Sequence, residues 1–313
     1  MIASIDEKTR SVTNWAPING RWSFEGSSAR YLGPPGDGNP LGVVLSDLSM
    51  RDGIATVRVT FESTEFDPDR QTAATVILGY NAQQNRYVLA QLGGWGSAYS
   101  LGELDVYGRF TPVLRIGSLD NLVVQRPYDL QIAQKGQSIR LAVDSVRVFE
   151  HVLATPLPGN QVGLQAFGKC PIRFDSLSIA ETMPRLFVAM QFSEPFESLF
   201  EEVIRPVAGD ESFEAIRVDS IARPGIIFQD IQREISESKA VLAEISSPNN
   251  NVFYELGYAH ALNKPTILLA RKGQELPFDI RSYRVIFYDD SISGKPILEE
   301  TLRKHLKSIL QDS

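Results

Sequence analysis

Hydrophobic and polar residues alternate with a period of two through much of the first 180 positions. In Ile54-Ala55-Thr56-Val57-Arg58-Val59-Thr60-Phe61, Val57, Val59 and Phe61 are expected to face a core, and Thr56, Arg58 and Thr60 to face outward. The same alternation marks strands over 74–79, 86–92, 128–134, 138–143, 145–149, 162–167 and 173–179. Clusters of Asn, Gly, Asp and Pro separate them, Pro34-Pro35-Gly36-Asp37-Gly38 among them. No stretch here carries an apolar stripe at helical spacing for three turns. Many short strands in one such unit predict an all-β sandwich, jelly-roll-like, of two packed antiparallel sheets.

Beyond that region the period changes. Phe187-Val188-Ala189-Met190 reads as a short apolar strand, after which Phe196, Leu199, Phe200, Val203 and Ile204 recur at helical spacing. Strands over 215–218, 240–245, 266–270 and 285–288 then alternate with helices. The first of these helices carries Ile227, Phe228, Ile231 and Ile235, the second runs over 251–262, and the last holds Leu298, Leu302, Leu306 and Ile309. Alternating strand and helix predicts an α/β domain whose mostly parallel sheet is covered on both faces. Ligands of such sheets sit beyond the C-terminal ends of the strands. Glycine usage places the boundary: residues 1–183 hold 18 of the 23 glycines and residues 184–313 the other five. Charge follows it, with 16 basic and 18 acidic residues before the boundary and 15 basic and 20 acidic after it. The expected domains are therefore 1–183 and 184–313, joined near Glu181-Thr182-Met183-Pro184.

Composition narrows the classes. With 313 residues, 43% apolar and 22% charged, the chain has material for two cores. No apolar run approaches the roughly 20 residues that span a bilayer, so no membrane partner is expected. MIASIDEKTR lacks the apolar stretch of a secretory signal, and a cytoplasmic location is the expectation. A single cysteine, Cys170, excludes a disulfide framework, and His151, His260 and His305 lie too far apart to suggest a metal centre. A net charge of −7 argues against a nucleic-acid surface.

Chemistry concentrates after the 240–245 strand, in Ser246-Ser247-Pro248-Asn249-Asn250-Asn251-Val252-Phe253-Tyr254-Glu255-Leu256-Gly257-Tyr258-Ala259-His260-Ala261. The Asn cluster suits a helix N-cap, which puts Glu255 in the first or second turn, near the rim of the crevice. Gly257 inside a helix costs about 1 kcal/mol relative to Ala, so close packing against a strand is expected there, or a ligand.

The stretch NNNVFYELGYAHALNKPTILL, preceded by IQREISESKAVLAEIS, resembles the bacterial TIR-like nucleotide-binding family. It is also similar to the nucleoside 2-deoxyribosyltransferases. The likeness continues upstream in Val218-Asp219, in Arg223-Pro224-Gly225, and in FVAMQF, which resembles the family's opening strand and nucleotide-facing loop. It covers about residues 184–310 and is weaker over 206–222. In both families the helix Glu works at the anomeric carbon of a nucleotide sugar. The resemblance therefore implies a flavodoxin/TIR-like sheet, catalysis by Glu255, and nucleotide contacts from Met190, Gln191, Phe192, Asp219, Arg223, Asn251 and Tyr254. It implies NAD+ as substrate rather than cofactor, no metal, and activity in a homo-oligomer.

The residues also allow plainer roles. Glu255 either performs catalysis or complements the positive helix N-terminus, and the family motif favours catalysis. Asp219 is a nucleotide contact or a turn former, and Arg223 a phosphate ligand or a solvated loop charge. Phe192 lines the crevice or plugs the core. Tyr254 and His260 suit packing, and Cys170 suits a small buried apolar position. One well-placed Glu without a partner acid favours NAD+ over plain nucleosides, because nicotinamide departs neutral from a cationic state whereas a purine or pyrimidine needs a proton.

The first domain resembles the concanavalin A-like sandwiches, lectin-like and glucanase-related, through its alternation, its size and the ending QVGLQAFGKCPIRFDSLSI. Trp95 in Gly93-Gly94-Trp95-Gly96-Ser97 is suited to stacking on a sugar, or else belongs to the core. Glu103 and Asp105 alternate like a glucanase's paired acids, but solvated strand charges are the better reading. A glycan or protein ligand is expected for this domain. The expected whole is a bacterial defence-type effector, a recognition or assembly module on an NAD+ glycohydrolase. Its alternatives are a nucleoside 2-deoxyribosyltransferase-like N-glycosidase and a non-catalytic module that binds a nucleotide signal.

Overall fold

The computed structural model describes residues 9–34, 36, 38–64, 66–67, 71–84, 86–105, 107–217, 227–276, 278–280 and 283–311. By internal contacts the chain forms two compact units. The first comprises residues up to Gln134, Ile139–His151 and Leu157–Thr182; the second comprises Lys135–Ser138, Val152–Pro156 and the chain from Met183 onward.

The first unit is a large antiparallel β-sandwich, jelly-roll-like. Its early strands are β1 (Thr9–Ser11), β2 (Trp15–Asn19), β3 (Trp22–Glu25), β4 (Ser28–Tyr31) and β5 (Leu41–Ser49). Then come β6 (Gly53–Phe61), β7 (Ala73–Asn81), β8 (Arg86–Gly93), β9 (Tyr99–Leu104) and β10 (Phe110–Ile116). β11 (Pro127–Lys135), β12 (Ser138–Val143), β13 (Val146–Val152), β14 (Gln161–Phe167) and β15 (Ile172–Glu181) complete it. One sheet runs β13-β12-β11-β6-β15-β4-β3, with β1 also on β15, and the other runs β10-β9-β8-β7-β14-β5-β2.

β6 lies between β11 and β15, so Val57, Val59 and Phe61 are buried as the alternation requires. Thr60 is a correction. It too is buried, between Pro127 and Arg173 of the flanking strands, and its hydroxyl has no partner among the described residues. The second sheet is buried on both faces along much of its length. Beside Val43, Ile77 and Leu89 it holds a row of satisfied polar groups, in which Gln91 Nε2 donates to Thr75 Oγ1 (3.1 Å) and Ser100 Oγ donates to Gln91 Oε1 (2.8 Å).

The second unit begins with β16 (Arg185–Ala189). A helical stretch follows in three parts, α1 (Phe196–Leu199), a π-helical turn (Phe200–Ile204) and α2 (Arg205–Asp210). After it come β17 (Glu214–Ile216), α3 (Ile227–Glu237), β18 (Ala240–Glu244) and α4 (Asn250–Ala261). β19 (Thr266–Arg271), β20 (Val285–Tyr288) and α5 (Gly294–Gln311) end the unit. The five strands form a parallel sheet in the order β17-β16-β18-β19-β20.

Both faces of that sheet are apolar, as a helix-covered parallel sheet requires. Leu186, Val188, Leu242 and Leu269 pack with Phe200, Val203 and Leu302, whereas Phe187, Val241, Ala243 and Leu268 pack with Ile235, Val252 and Leu256.

α4 starts as the Asn cluster implies: Asn249 is the N-cap, and its side chain accepts the Asn251 N–H at 2.9 Å. The close packing against a strand expected at Gly257 is not found. The residue is exposed, and a Cβ built on it meets nothing within 4 Å. Gly257→Ala is therefore expected to stabilise the protein by about 1 kcal/mol, the helix-propensity difference. Urea unfolding measures it, and a loss of stability would show that the position needs its glycine.

Candidate functional site

With strands in the order second, first, third, fourth, fifth, the chain leaves β16 in opposite directions on its two sides. The crevice where such an order reverses, outside the C-terminal ends of the first and third strands, is the usual ligand position of an open α/β sheet. Here it lies beyond β16 and β18, and a cavity of about 570 Å³ occupies it.

The segment after β16 contributes Met190, Gln191 and Phe192, and α4 with its cap contributes Asn249, Asn251, Val252, Tyr254 and Glu255. Phe228 and Ile231 of α3 complete the lining. Six of the residues singled out in the sequence, Met190, Gln191, Phe192, Asn251, Tyr254 and Glu255, thus meet at one cavity. Asp219 and Arg223 lie outside the described residues.

Helical spacing explains the α4 contribution. Asn251, Tyr254 and Glu255 stand at i, i+3 and i+4 and share a face, while Val252, Leu256 and Ala259 form the buried stripe beside it. Glu255 stands at the margin of that stripe and is only 6% exposed. No hydrogen bond or ion pair reaches its carboxyl from the described residues, and burial alone pushes it up to about 7. It is the only acidic side chain among the described lining residues, and none of them is basic. A lone carboxyl in an apolar cavity exchanges its proton near neutral pH and, once ionised, strongly favours positive charge developing beside it.

Arg217 follows β17 and is almost fully buried. Its Nη1 and Nη2 donate to the two Glu197 carboxylate oxygens at 2.8 and 3.1 Å, and its guanidinium lies over Phe192 (5.3 Å) and Phe200 (4.3 Å). This bidentate, aromatic-stacked arginine fixes the segment after β16, a part of the site that the sequence reading missed.

A second network lies at the strand ends. Glu244 closes β18 and accepts from the Ser246 hydroxyl and from Tyr288 Oη (3.1 Å), while Ser246 Oγ accepts the Arg271 N–H at 2.7 Å. Burial raises the Glu244 carboxyl above its ordinary range against these hydrogen bonds. The network ties the root of the Ser246–Asn249 loop to β19 and β20. Its sequence signal was a Glu ending an otherwise apolar strand. His260 stays out of the cavity, stacked on Tyr283 with ring centroids 4.5 Å apart.

In the sandwich, Trp95 is half-exposed and stacks against Phe110 at 5.8 Å, with φ at +55°. Asp105 is a turn former: it accepts the backbone N–H groups of Tyr107 and Arg109 at 2.9 Å and pairs with Arg109 Nε. That commitment leaves Glu103 without Asp105 as a partner acid. Cys170 is buried, as a small apolar position implies.

No family model matches the sequence, and no curated protein matches it. Solved structures do show likeness. One is a carbohydrate-binding module from Bacillus subtilis, 15% identical, with 54% of this chain and 97% of that one covered at a TM-score of 0.45. Another is a beta-glucanase from Bacillus licheniformis, 11% identical, with 56% and 98% covered at a TM-score of 0.42. A protein of unknown function with a galectin-like fold, also from Bacillus subtilis, is 10% identical, with 54% and 90% covered at a TM-score of 0.40. No helix among the described residues is long and apolar enough to cross a membrane.

Proposed function

We propose that the second unit is a TIR-like α/β domain that cleaves the nicotinamide N-glycosidic bond of NAD+, with Glu255 as its catalytic carboxylate. The observation that supports this reading is one buried carboxyl, without a partner among the described residues, in a cavity at the reversal point of the sheet. In the reaction the bond between the ribose anomeric carbon and the pyridinium nitrogen breaks, and its electron pair neutralises the ring. Ionised Glu255 stabilises the oxocarbenium-like sugar left behind. Water then adds to that carbon and gives up a proton, giving ADP-ribose; capture by a nucleophile of the same molecule gives a cyclic product. Because nicotinamide leaves neutral, no second acid is needed.

A second reading is a nucleoside 2-deoxyribosyltransferase-like N-glycosidase. A carboxyl near 7 supports it, since part of the population can protonate a departing base at neutral pH. Concentrated protein incubated with NAD+ and, separately, with a deoxynucleoside plus a second base decides between them. Nicotinamide release is expected in the first mixture. Base exchange without nicotinamide release selects the second reading, and tight nucleotide binding without turnover selects a non-catalytic module.

The sandwich has the role of recognition or assembly in this proposal, through a glycan or protein ligand. An enzyme that consumes NAD+ in the cytoplasm harms its own cell unless restrained, so a defence-type effector controlled by homo-oligomerisation fits the pairing. Specific activity is then expected to rise with protein concentration, and Trp95→Ala to weaken the rise. Activity per molecule that is already full at extreme dilution overturns this control.

A further inference from the structure

Three aromatic side chains at the cavity are far more exposed than aromatic residues of this size usually are: Phe192 (52%), Phe228 (46%) and Tyr254 (38%). None is loose. Phe228 of α3 and Tyr254 of α4 pack against each other with centroids 4.9 Å apart, and Gln232 Nε2 donates to the Tyr254 hydroxyl at 3.3 Å. Phe192 is held by Arg217 over its ring. Phe228, one of the apolar residues recurring along α3, is exposed at the cavity.

The charges around this wall are arranged in a particular way. Those nearby are already paired, Arg217 with Glu197 and Arg233 with Asp230. Among the described residues, Glu255 is the one charged side chain lining the cavity, and it has no counter-ion. Aromatic faces attract cations through their quadrupole, and an unpaired buried carboxylate attracts them through its charge. A neutral ring gains only the stacking. Both features favour the same ligand class, a flat organic cation.

We propose that the cavity selects a flat aromatic cation over its uncharged counterpart, with Phe228 and Tyr254 as the specificity-determining wall and Glu255 as the counter-ion. The inference rests on the reading of this cavity as the substrate site and deepens it: the subsite takes the charged pyridinium ring of an N-glycoside and discriminates against the reduced, neutral ring. Phe228 is a specificity residue in this account and takes no part in bond breaking.

The test uses the full chain and two probes without a glycosidic bond, the 1-methylnicotinamide cation and uncharged nicotinamide, with binding measured by calorimetry at pH 8. The cation is expected to bind at least tenfold tighter than nicotinamide. Phe228→Leu, which keeps apolar bulk without a ring face, is expected to lose most of that preference, and Phe228→Trp to keep it. Should Phe228→Leu fail to fold, Tyr254→Leu tests the same wall. Equal affinity for the two probes, binding of neither, or a preference unchanged in the Leu variants overturns the proposal. Its fate separates from that of the glycohydrolase reading. Nicotinamide release from NAD+ without cation preference removes the selectivity alone, and cation preference without release removes the enzyme alone.

Discussion

Glu255→Gln is expected to lower kcat for nicotinamide release from NAD+ by about a thousandfold, to raise KM as well because the pyridinium ring loses its counter-ion, and to leave the fold intact. The size follows from what the side chain meets. Charge develops on the sugar only as the bond breaks, so an interaction with that charge belongs to the transition state and lowers kcat when removed. One preorganised electrostatic group in a water-poor site is worth about a hundred- to a thousandfold. Glu255 occupies the upper end of that range because no other acidic side chain lines the cavity among the described residues. Gln keeps the shape and removes the charge. Glu255→Asp keeps the charge but withdraws it by one methylene, and most of the rate is expected to go with it. Product analysis by chromatography checks both variants, and a well-folded Gln variant that turns over NAD+ at the parental rate removes Glu255 from the chemistry.

Much of this architecture was legible because it obeys simple periods. The α/β unit announced β16, β18, β19 and β20 as short apolar runs, and the alternation within β16, β18 and β19 sorts their residues onto two helix-covered faces. The α4 cap was legible from the Asn cluster, and the cap fixes where along the helix Glu255 falls. Other elements gave no such signal. β5 begins Leu41-Gly42-Val43-Val44-Leu45 and is buried almost continuously, so its sequence shows no alternation even though it is a strand. Gly257 misled because a helical glycine suggests close approach, and here it only lacks a side chain.

The site was half legible for a similar reason. Residues on one helix face, or immediately after one strand, keep a sequence spacing that reports their proximity. Tyr254 and Glu255 are of this kind. Phe228 reaches the same cavity from another helix, and nothing in its local spacing separates a cavity-facing aromatic from a core-facing one. Arg217 is further removed, since its partner Glu197 lies 20 positions earlier and the pair forms only when the segments around β16 and β17 come together.

Removing the Glu255 charge is also expected to stabilise the protein, by an amount that grows as pH rises from about 4.5 to about 7. In the unfolded chain the carboxyl titrates near 4.5, whereas burial holds it near 7 in the folded state. Between those values the folded protein binds more protons than the unfolded one, so this group's contribution to stability falls as pH rises. The fall begins near pH 4.5, steepens to about 1.4 kcal/mol per pH unit, and levels off above pH 7. By pH 8 the ionised, partnerless carboxylate costs the fold about 3 kcal/mol, which Glu255→Gln removes. At pH 4 the acid is protonated in both states, and the two proteins are expected to be equally stable. Glu244, the other raised carboxyl, is present in both proteins and cancels from the difference. Urea unfolding of parent and variant at pH 4, 6 and 8 is thus expected to give a gap that opens through this window. A gap that is constant across pH, or a variant weaker than its parent at pH 8, shows that the carboxylate has a partner in the folded protein.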